Sequence, residues 1–235
     1  KALNALTYEM ISEIENALIL WKENTKIKLI LVDSNSDKAF CSGGDVSSLY
    51  KHGLSRNYEF GKLFWADEYR LNHLIATYPK PYVVFMQGFT MGGGVGISCH
   101  GSHRIVGDSS TLAMPECGIG LVPDVGGSFL LTRKSKELGI YLGITGSYMN
   151  ADDAIFTNFA DFFIEEKYWN EVKSKLIKTG DTNFLSKFKK ENLKSPLKDN
   201  LELIRDVFSK SELSLIIKEM EKNSLFTHGL KKMLR

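Results

Sequence analysis

Two glycine-rich turns, each placed directly after an apolar run, constrain this chain more than any other feature. The first turn spans Lys38–Asp45 (KAFCSGGD), and the second spans Gln87–Gly96 (QGFTMGGGVG). Because glycine tolerates positive φ and has no side chain, such turns leave backbone N–H groups open to a close ligand. Gly44 and Gly93 can therefore offer two amides to one negatively charged oxygen. The pair predicts an oxyanion hole, in which one donor contributes about 3 kcal/mol to transition-state stabilisation.

The glycines also permit a second explanation, tight packing of helices on strands, and the residues alone leave it open. Ile97 stands where a dinucleotide-binding G-x-G-x-x-G motif needs its last glycine, and no P-loop motif occurs. The segment Gly96–His100 lacks the final glycine of a nucleophile elbow. Ser98 is therefore expected to be packed inside a helix rather than to act as a nucleophile. His100 and His103 are expected to make structural hydrogen bonds.

The composition is that of a globular protein with one large domain, or a domain with an appendage. The 235 residues are 43% hydrophobic and 25% charged, with a net charge of +2. The basic residues do not cluster with aromatic ones, and no apolar run reaches about 18 residues, so we expect no nucleic-acid partner and no membrane span. Cys41, Cys99 and Cys117 lack metal-ligand spacing, so we predict no metal site and no disulfide framework. The pattern of structure begins at Lys1 itself, which indicates a fragment.

The apolar pattern predicts alternating strands and helices in the first part of the chain. Thr7 is a predicted helix N-cap, and continuous apolar runs at 27–32 and 82–86 predict buried strands. A long amphipathic helix that must end before Pro79 or Pro81 carries an apolar stripe: Phe60, Leu63, Phe64, Leu71, Leu74 and Ile75. Further helices are predicted at 95–100, 128–133, 136–143, 151–156, 165–176, 182–190, 198–208 and 211–222, and short strands at 104–106, 112–114 and 161–164. Strands that alternate with helices imply an α/β layered fold.

A third segment, Met114–Gly127 (MPECGIGLVPDVGG), carries two carboxylates on a loop rich in glycine and proline. Glu116 and Asp124 can reach one pocket, where two nearby carboxylates raise the pKa of at least one of them. Such a pair can handle protons or water near neutral pH. Two alternatives stay open: Glu116 as a surface carboxylate, and Asp124 as the N-cap of a helix that begins near Val125.

These segments together resemble the crotonase (enoyl-CoA hydratase/isomerase) superfamily, over residues 2–165 and in the right order. Within it, the chain is most similar to the 3-hydroxyisobutyryl-CoA hydrolases, which are thioesterases of valine breakdown. The resemblance rests on AFCSGGD, PYVVFMQGFTMGGGVG and MPE…GGSFLLTR, with the hydrolase-like marks ALNALT, EYRLN, MGGGVG and PDVGG. It implies a ββα spiral core of stacked sheets, with residues 1–165 as this core and 166–235 as a helical C-terminal region. It also implies that N-terminal strands and further C-terminal helices are missing from this chain.

One position separates the two activities of the family that this chain resembles. The resemblance places Gly96 where hydratases hold a glutamate, and hydration of a double bond needs two acid/base groups around one water. Glu116 matches the carboxylate that hydratases and hydrolases share. Asp124 matches the hydrolase pattern, where hydratases typically carry glycine. We therefore expect hydrolysis of a short-chain acyl-CoA, with 3-hydroxyisobutyryl-CoA as the first candidate.

The resemblance also implies a role for each site residue. Gly44 and Gly93 would form the oxyanion hole, Glu116 would act as nucleophile or as general base, and Asp124 would orient the 3-hydroxyl or a water. Glu68 matches a substrate-site glutamate, with a solvent-facing position as its alternative. Coenzyme A, as part of the substrate and not as a cofactor, would contact Lys38, Ser42, Gly43, Asp45 and Val46.

Three expectations about the whole protein follow from the same resemblance. A homo-oligomer is possible, and the compartment would be the cytoplasm in a bacterium or the mitochondrial matrix in a eukaryote. Two other functions stay open: an enoyl-CoA hydratase or isomerase of the same superfamily, and a non-catalytic CoA-binding or assembly protein.

Overall fold

The computed structural model describes residues 2–226, and two parallel sheets lie at its centre. One sheet has the strand order β1-β3-β5-β7 and the other has the order β2-β4-β6. Each of the first three strands of the larger sheet is followed in the chain by a strand of the smaller one. This repeat is the ββα spiral of stacked sheets that the family resemblance implies. The strands are β1 Ile30–Val32, β2 Ala39–Cys41, β3 Tyr82–Met86, β4 Phe89–Met91, β5 His103–Val106, β6 Thr111–Ala113 and β7 Phe162–Phe163.

Helices surround the two sheets and make up most of the chain after β7. They are α1 Tyr8–Lys22, α2 Val46–Leu54, α3 Tyr58–Ala76, α4 Gly93–Ser98, α5 Gly127–Leu131, α6 Lys136–Thr145, α7 Ala151–Phe156, α8 Trp169–Thr179, α9 Pro196–Asp199, α10 Leu201–Phe208 and α11 Leu213–Glu221. Short 3-10 turns lie at Ala2–Asn4, Glu116–Ile119, Glu166–Tyr168, Asn183–Phe188 and Ser224–Phe226. No helix within residues 2–226 has the length and apolarity needed to span a bilayer.

Several local predictions are confirmed. The Thr7 side chain accepts a hydrogen bond from the Met10 amide at the start of α1, β3 covers the predicted range with every residue buried, and α3 ends before Pro79. The first strand is shorter than predicted and begins at Ile30, opposite Tyr82. A longer ladder would need an N–H from Pro81, which proline does not have.

Other local predictions are wrong. Leu63 is 49% exposed, because the buried face of α3 follows Phe64, Leu71 and Ile75 instead. The helix predicted at 182–190 is a 3-10 turn at Asn183–Phe188. The helix predicted at 198–208 is two helices, α9 and α10, which meet at Asn200.

Residues after 165 pack into the same core as the residues before it. The Phe208 ring lies 5.2 Å from the Tyr141 ring, and the Trp169 ring lies 5.2 Å from the Phe85 ring, both edge to face. Aromatic contacts of this kind add to the burial of apolar surface. The division of the chain at 165/166 stays a prediction.

Candidate active site

The first glycine turn leaves one amide unused. The turn contains β2, and Gly43, just after this strand, has a φ of 114°, which favours glycine. The Leu6 amide donates to the Gly43 carbonyl, and the Asp45 amide donates to the Leu6 carbonyl, each at 2.8 Å. In an extended segment, successive N–H groups point in opposite directions, so the Gly44 amide points away from Leu6. It donates to no backbone carbonyl within residues 2–226.

The second glycine turn ends at the first residue of α4. Gly92, with a φ of 48°, is the N-cap, and Gly93 opens the helix two residues before the predicted start at Val95. The amides of the first helical turn have no acceptor within the helix and carry the positive end of its dipole. The Gly93 amide is one of these free donors, as the sequence predicts. Ser98 is buried in α4 and donates to the Gly94 carbonyl, which confirms its packed position.

The two glycine turns lie close together, beside the carboxyl group of Glu68. A Cβ atom placed on Gly93 would lie 3.1 Å from the Gly44 amide nitrogen and 2.6 Å from Glu68 Oε1. Both distances are shorter than van der Waals contact, so residue 93 must be glycine for this arrangement. The space above Gly93 is therefore bordered by both turns, as an oxyanion hole requires.

Glu116 lies at the second turn and is buried. A Cβ on Gly92 would lie 2.6 Å from Glu116 Oε1, and only 6% of Glu116 is exposed. Glu116 Oε2 has no hydrogen-bond partner among the described residues. Burial raises the pKa of Glu116 to about 7, its own backbone amide lowers it in part, and the charge of Asp124 raises it further. The alternative of a surface carboxylate is wrong.

Asp124 faces the same cleft from a strained loop. The helix after it, α5, begins at Gly127 with Gly126 as N-cap and without a side-chain cap, so the capping alternative for Asp124 is wrong. Val125 has a φ of 45°, an unfavourable value for a β-branched residue. His100 Nε2 holds the Val125 carbonyl at 2.8 Å, which confirms a structural hydrogen bond for His100. Burial raises the pKa of Asp124.

Glu68 is a buried member of the cleft, and its solvent-facing alternative is wrong. It is 2% exposed, and its Oε1 atom has no hydrogen-bond partner among the described residues. Burial raises the pKa of Glu68 to about 8, and the charges of Asp124 and Glu116 add to this effect. The neighbouring Arg70 does not pair with it and binds Glu15 instead.

The cleft that these groups form has a volume of about 90 Å³. Ligand pockets for drug-sized molecules span about 300–1,000 Å³, so this cleft admits only a short acyl end of a larger ligand. No lysine, arginine or histidine is among its described lining residues. These are Ser42, Gly43, Gly44, Val46, Leu49, Phe64, Trp65, Glu68, Gly92, Gly93, Pro115, Glu116, Ile119, Leu121 and Asp124.

Eight of the ten predicted site residues line this cleft, and two do not. Asp45 caps α2, where its side chain accepts from the Ser48 amide and hydroxyl. Lys38 is exposed ahead of β2. Asp45 lines a neighbouring cavity of about 410 Å³, which shares Gly44 and Val46 with the cleft and includes Lys51.

Sequence reasoning missed the apolar wall of the cleft. Trp65 and Leu49 belong to helices, whereas Ile119 and Leu121 stand on the exposed loop after Glu116. Trp65 could have been found, because residues three apart on a helix share a face and Glu68 is three residues later. The loop residues carry no such periodic signal.

No group of three or more histidine, cysteine or acidic residues within residues 2–226 could hold a metal ion. Cys41 and Cys99 are buried, and burial raises the pKa of each thiol to about 11. Since the thiolate is the reactive form, these two groups are poor nucleophiles near neutral pH.

Gly96 is packed against side chains on two sides. A Cβ atom there would lie 2.7 Å from Val125 Cβ and 2.9 Å from Asn72 Nδ2. A longer side chain at position 96 therefore needs both neighbours to move. The cleft has no carboxylate from α4, and its carboxyls come from α3 and from the segment after β6.

Two parallel sheets wound in ββα units around an oxyanion-type cleft define the crotonase class of proteins. The chain belongs to the enoyl-CoA hydratase/isomerase family, whose model matches residues 1–235. It is 36% identical over 234 residues to a protein from Xenopus laevis named "3-hydroxyisobutyryl-CoA hydrolase, mitochondrial", covering 97% of this chain and 57% of that protein.

Two further proteins are similar to this chain, and their names differ from that of the Xenopus relative. A solved structure of an enoyl-CoA hydratase from Rhodobacter sphaeroides is 42% identical, with a TM-score of 0.92, and covers 98% of this chain and 68% of that chain. A protein from Neurospora crassa named "Small ribosomal subunit protein mS47" is 38% identical over 179 residues, covering 75% of this chain and 34% of that protein. The chain spans about half the length of the curated relatives it matches first.

Proposed function

We propose that the protein hydrolyses a short-chain acyl-CoA thioester, with 3-hydroxyisobutyryl-CoA as the first candidate substrate (EC 3.1.2.4). The observation that carries this proposal is the cleft itself: Gly44 and Gly93 line it together with Glu116 and Asp124, while a side chain at position 96 would collide with Val125 and Asn72. The names of several relatives support the same substrate. Relatives named as mitochondrial support the mitochondrial matrix as the compartment if the protein is eukaryotic. If it is bacterial, we propose the cytoplasm.

The reaction needs a nucleophile, a place for the oxyanion and a proton for the leaving thiolate. The amides of Gly44 and Gly93 hold the carbonyl oxygen as it becomes negative. Ionised Glu116 takes a proton from an attacking water, or it attacks the carbonyl carbon itself. In the second route the carbon–sulfur bond breaks and CoA leaves as the thiolate, which gives a mixed anhydride that a water then hydrolyses to free Glu116 and the product acid. In the water route, the carbon–sulfur bond breaks and the proton on Glu116 passes to the CoA sulfur. Asp124 holds the 3-hydroxyl or the water.

Coenzyme A lies outside the small cleft in this proposal. Ser42, Gly43 and Val46 line the cleft, and we place the pantetheine beside them. Asp45 contributes by capping α2 and so fixing this turn, and Lys38 remains a candidate for a phosphate contact from the surface.

The test is release of free thiol from 3-hydroxyisobutyryl-CoA by the purified full-length protein. Loss of a general base costs about 10²- to 10⁴-fold, so Glu116→Gln is expected to lower kcat by that order. Glu59→Gln is the matched control, because Glu59 is exposed and, within residues 2–226, forms an ion pair only with Lys62. Thiol release at the uncatalysed rate by the wild type, or full activity in Glu116→Gln, would contradict the proposal. Hydroxylamine trapping of an acyl group on Glu116 would select the anhydride route.

A second candidate, hydration of an enoyl-CoA, is favoured by one specific observation. Glu68 supplies a carboxyl to the cleft from α3, in addition to Glu116, so a pair of acid/base groups exists even with glycine at position 96. Hydration of crotonyl-CoA faster than thiol release would establish this alternative. If the full-length protein catalyses neither thiol release nor hydration, a non-catalytic role is favoured.

A further inference from the structure

Three carboxyl groups share the small cleft, and nothing positive balances them. Glu68, Glu116 and Asp124 line it together, and its described lining residues include no cation. Charged carboxylates that lack a counter-ion are costly in a buried apolar space, and each one raises the pKa of the others. At least one carboxyl of the three must therefore hold a proton when the enzyme works.

Glu68 is the group that is best placed to be neutral. It is 2% exposed, against 6% for Glu116, and Phe64 and Trp65 stand beside it in the cleft wall. The titratable groups that face it are Glu116, Asp124 and two that hold protons near neutral pH. The Tyr69 phenol, with its pKa raised to about 12, follows it in α3, and the Cys41 thiol lies on β2.

We propose that Glu68 is a neutral carboxylic acid in the working enzyme and that it donates a hydrogen bond to an oxygen of the bound acyl group. This inference rests on the proposed thioester chemistry at the same cleft. Glu68 Oε1 has no partner within residues 2–226, and it borders the space above Gly93 that also faces the Gly44 amide. A protonated carboxyl there adds a third donor to the two amides, whereas an ionised one would repel the oxyanion.

The two buried glutamates then set opposite limits on activity. Glu116 must be ionised to act, so the rate rises with pH through its pKa of about 7. Glu68 must be protonated to donate, so the rate falls as pH rises through its pKa of about 8. The pH profile of kcat/KM is expected to be a narrow bell.

Two substitutions of Glu68 distinguish loss of its hydrogen-bond donor from loss of its ability to ionise. Glu68→Gln keeps a donor but cannot ionise, and we expect a loss of about tenfold, roughly one ordinary hydrogen bond, together with loss of the alkaline fall. Glu68→Leu removes the donor and is expected to lower kcat/KM by about 10²- to 10³-fold, as for other oxyanion-hole donors. Glu59→Gln on the same helix is the control for both. A Glu68→Gln enzyme as inactive as Glu68→Leu, or one that keeps the alkaline fall, would overturn the proposal.

Two substrates show which oxygen receives the hydrogen bond. If it is the thioester carbonyl, Glu68→Leu slows 3-hydroxyisobutyryl-CoA and isobutyryl-CoA alike. If it is the 3-hydroxyl, only the first substrate slows. Unchanged rates on both substrates would overturn the donor role.

An infrared measurement tests the proton without any turnover. The difference spectrum between wild type and Glu68→Gln near neutral pH is expected to contain the C=O band of a protonated carboxyl, and the Glu59→Gln difference is expected to lack it. A carboxylate band instead would overturn the proposal. Because this readout needs no substrate, it separates failure of the Glu68 assignment from failure of the thioesterase assignment, which the wild-type thiol assay alone decides.

Discussion

Replacement of Gly96 by alanine tests whether packing, and not only the lack of a carboxylate, defines this cleft. The new Cβ would lie 2.7 Å from Val125 Cβ. Non-bonded carbons prefer separations of about 3.5–4.0 Å, so Val125 must retreat by about 1 Å. It has little freedom to do so, since it is 1% exposed, has a φ of 45° and is held by His100.

The energetic cost of moving Val125 is partly offset by the higher helix propensity of alanine over glycine. Overpacking costs about 1–3 kcal/mol, and alanine gains about 1 kcal/mol over glycine within a helix, so a net loss of up to about 2 kcal/mol is expected. In a domain of this size, a loss of about 2 kcal/mol lowers Tm by about 4–8 °C. Asp124 precedes Val125 and moves with it, and a misplacement of about 1 Å at a reacting group costs about 10²-fold in rate.

Gly53→Ala is the matched control. Gly53 also lies within a helix, α2, but a Cβ atom there meets nothing within 4 Å. Alanine at this position is expected to stabilise the protein by about 0.5–1 kcal/mol, through the entropy of the unfolded chain. Thermal unfolding and thiol release of the two variants are measured side by side. Equal Tm values and equal rates for Gly96→Ala and Gly53→Ala would refute the reasoning.

Two further predictions concern the same cleft. Gly93→Ala places a methyl group between Glu68 and the Gly44 amide, so kcat is expected to fall by about 10²- to 10³-fold, and an unchanged kcat would contradict an oxyanion hole at this point. Glu116 also links stability to pH: its folded-state pKa is raised from 4.5 to about 7, so its contribution is fully present below pH 4.5 and is lost as pH rises to about 7. The full shift corresponds to about 3 kcal/mol, so urea unfolding should show Glu116→Gln gaining that much on wild type between about pH 4 and pH 9. A pH-independent difference between the two proteins would show that Glu116 titrates normally.

The sequence predicts the large sheet better than the small one, for a physical reason. A strand buried on both faces, such as Tyr82–Met86, is a continuous apolar run that local pattern detects. The strands Ala39–Cys41 and Phe89–Met91 have three residues each and lie inside the glycine turns. No periodicity is visible over three residues, so apart from the short strand predicted at 112–114 the second sheet followed only from resemblance to a family.

The site residues likewise fall into those that the sequence could predict and those that it could not. Gly44, Gly93 and Glu116 could be predicted, because their chemistry depends on residue type and on local turns. The burial of Glu68 could not be derived from its own helix, where it stands at the edge of the apolar stripe. Its burial depends on tertiary packing: Glu68 shares the cleft with Asp124, which lies more than 50 residues later and which no local pattern positions.

Gly96 shows why the difference between two activities of this fold is not a single missing carboxylate. A side chain at this position would meet Val125 and Asn72, and Val125 has a positive φ and a carbonyl that His100 binds. Strain of about 1–3 kcal/mol persists only where the surroundings impose it, and Asp124 directly precedes this strained residue. A glutamate placed at position 96 is therefore expected to displace Val125 and Asn72. We expect such a glutamate to act as an acid/base group only if the Val125 loop and the Asn72 position change together with position 96.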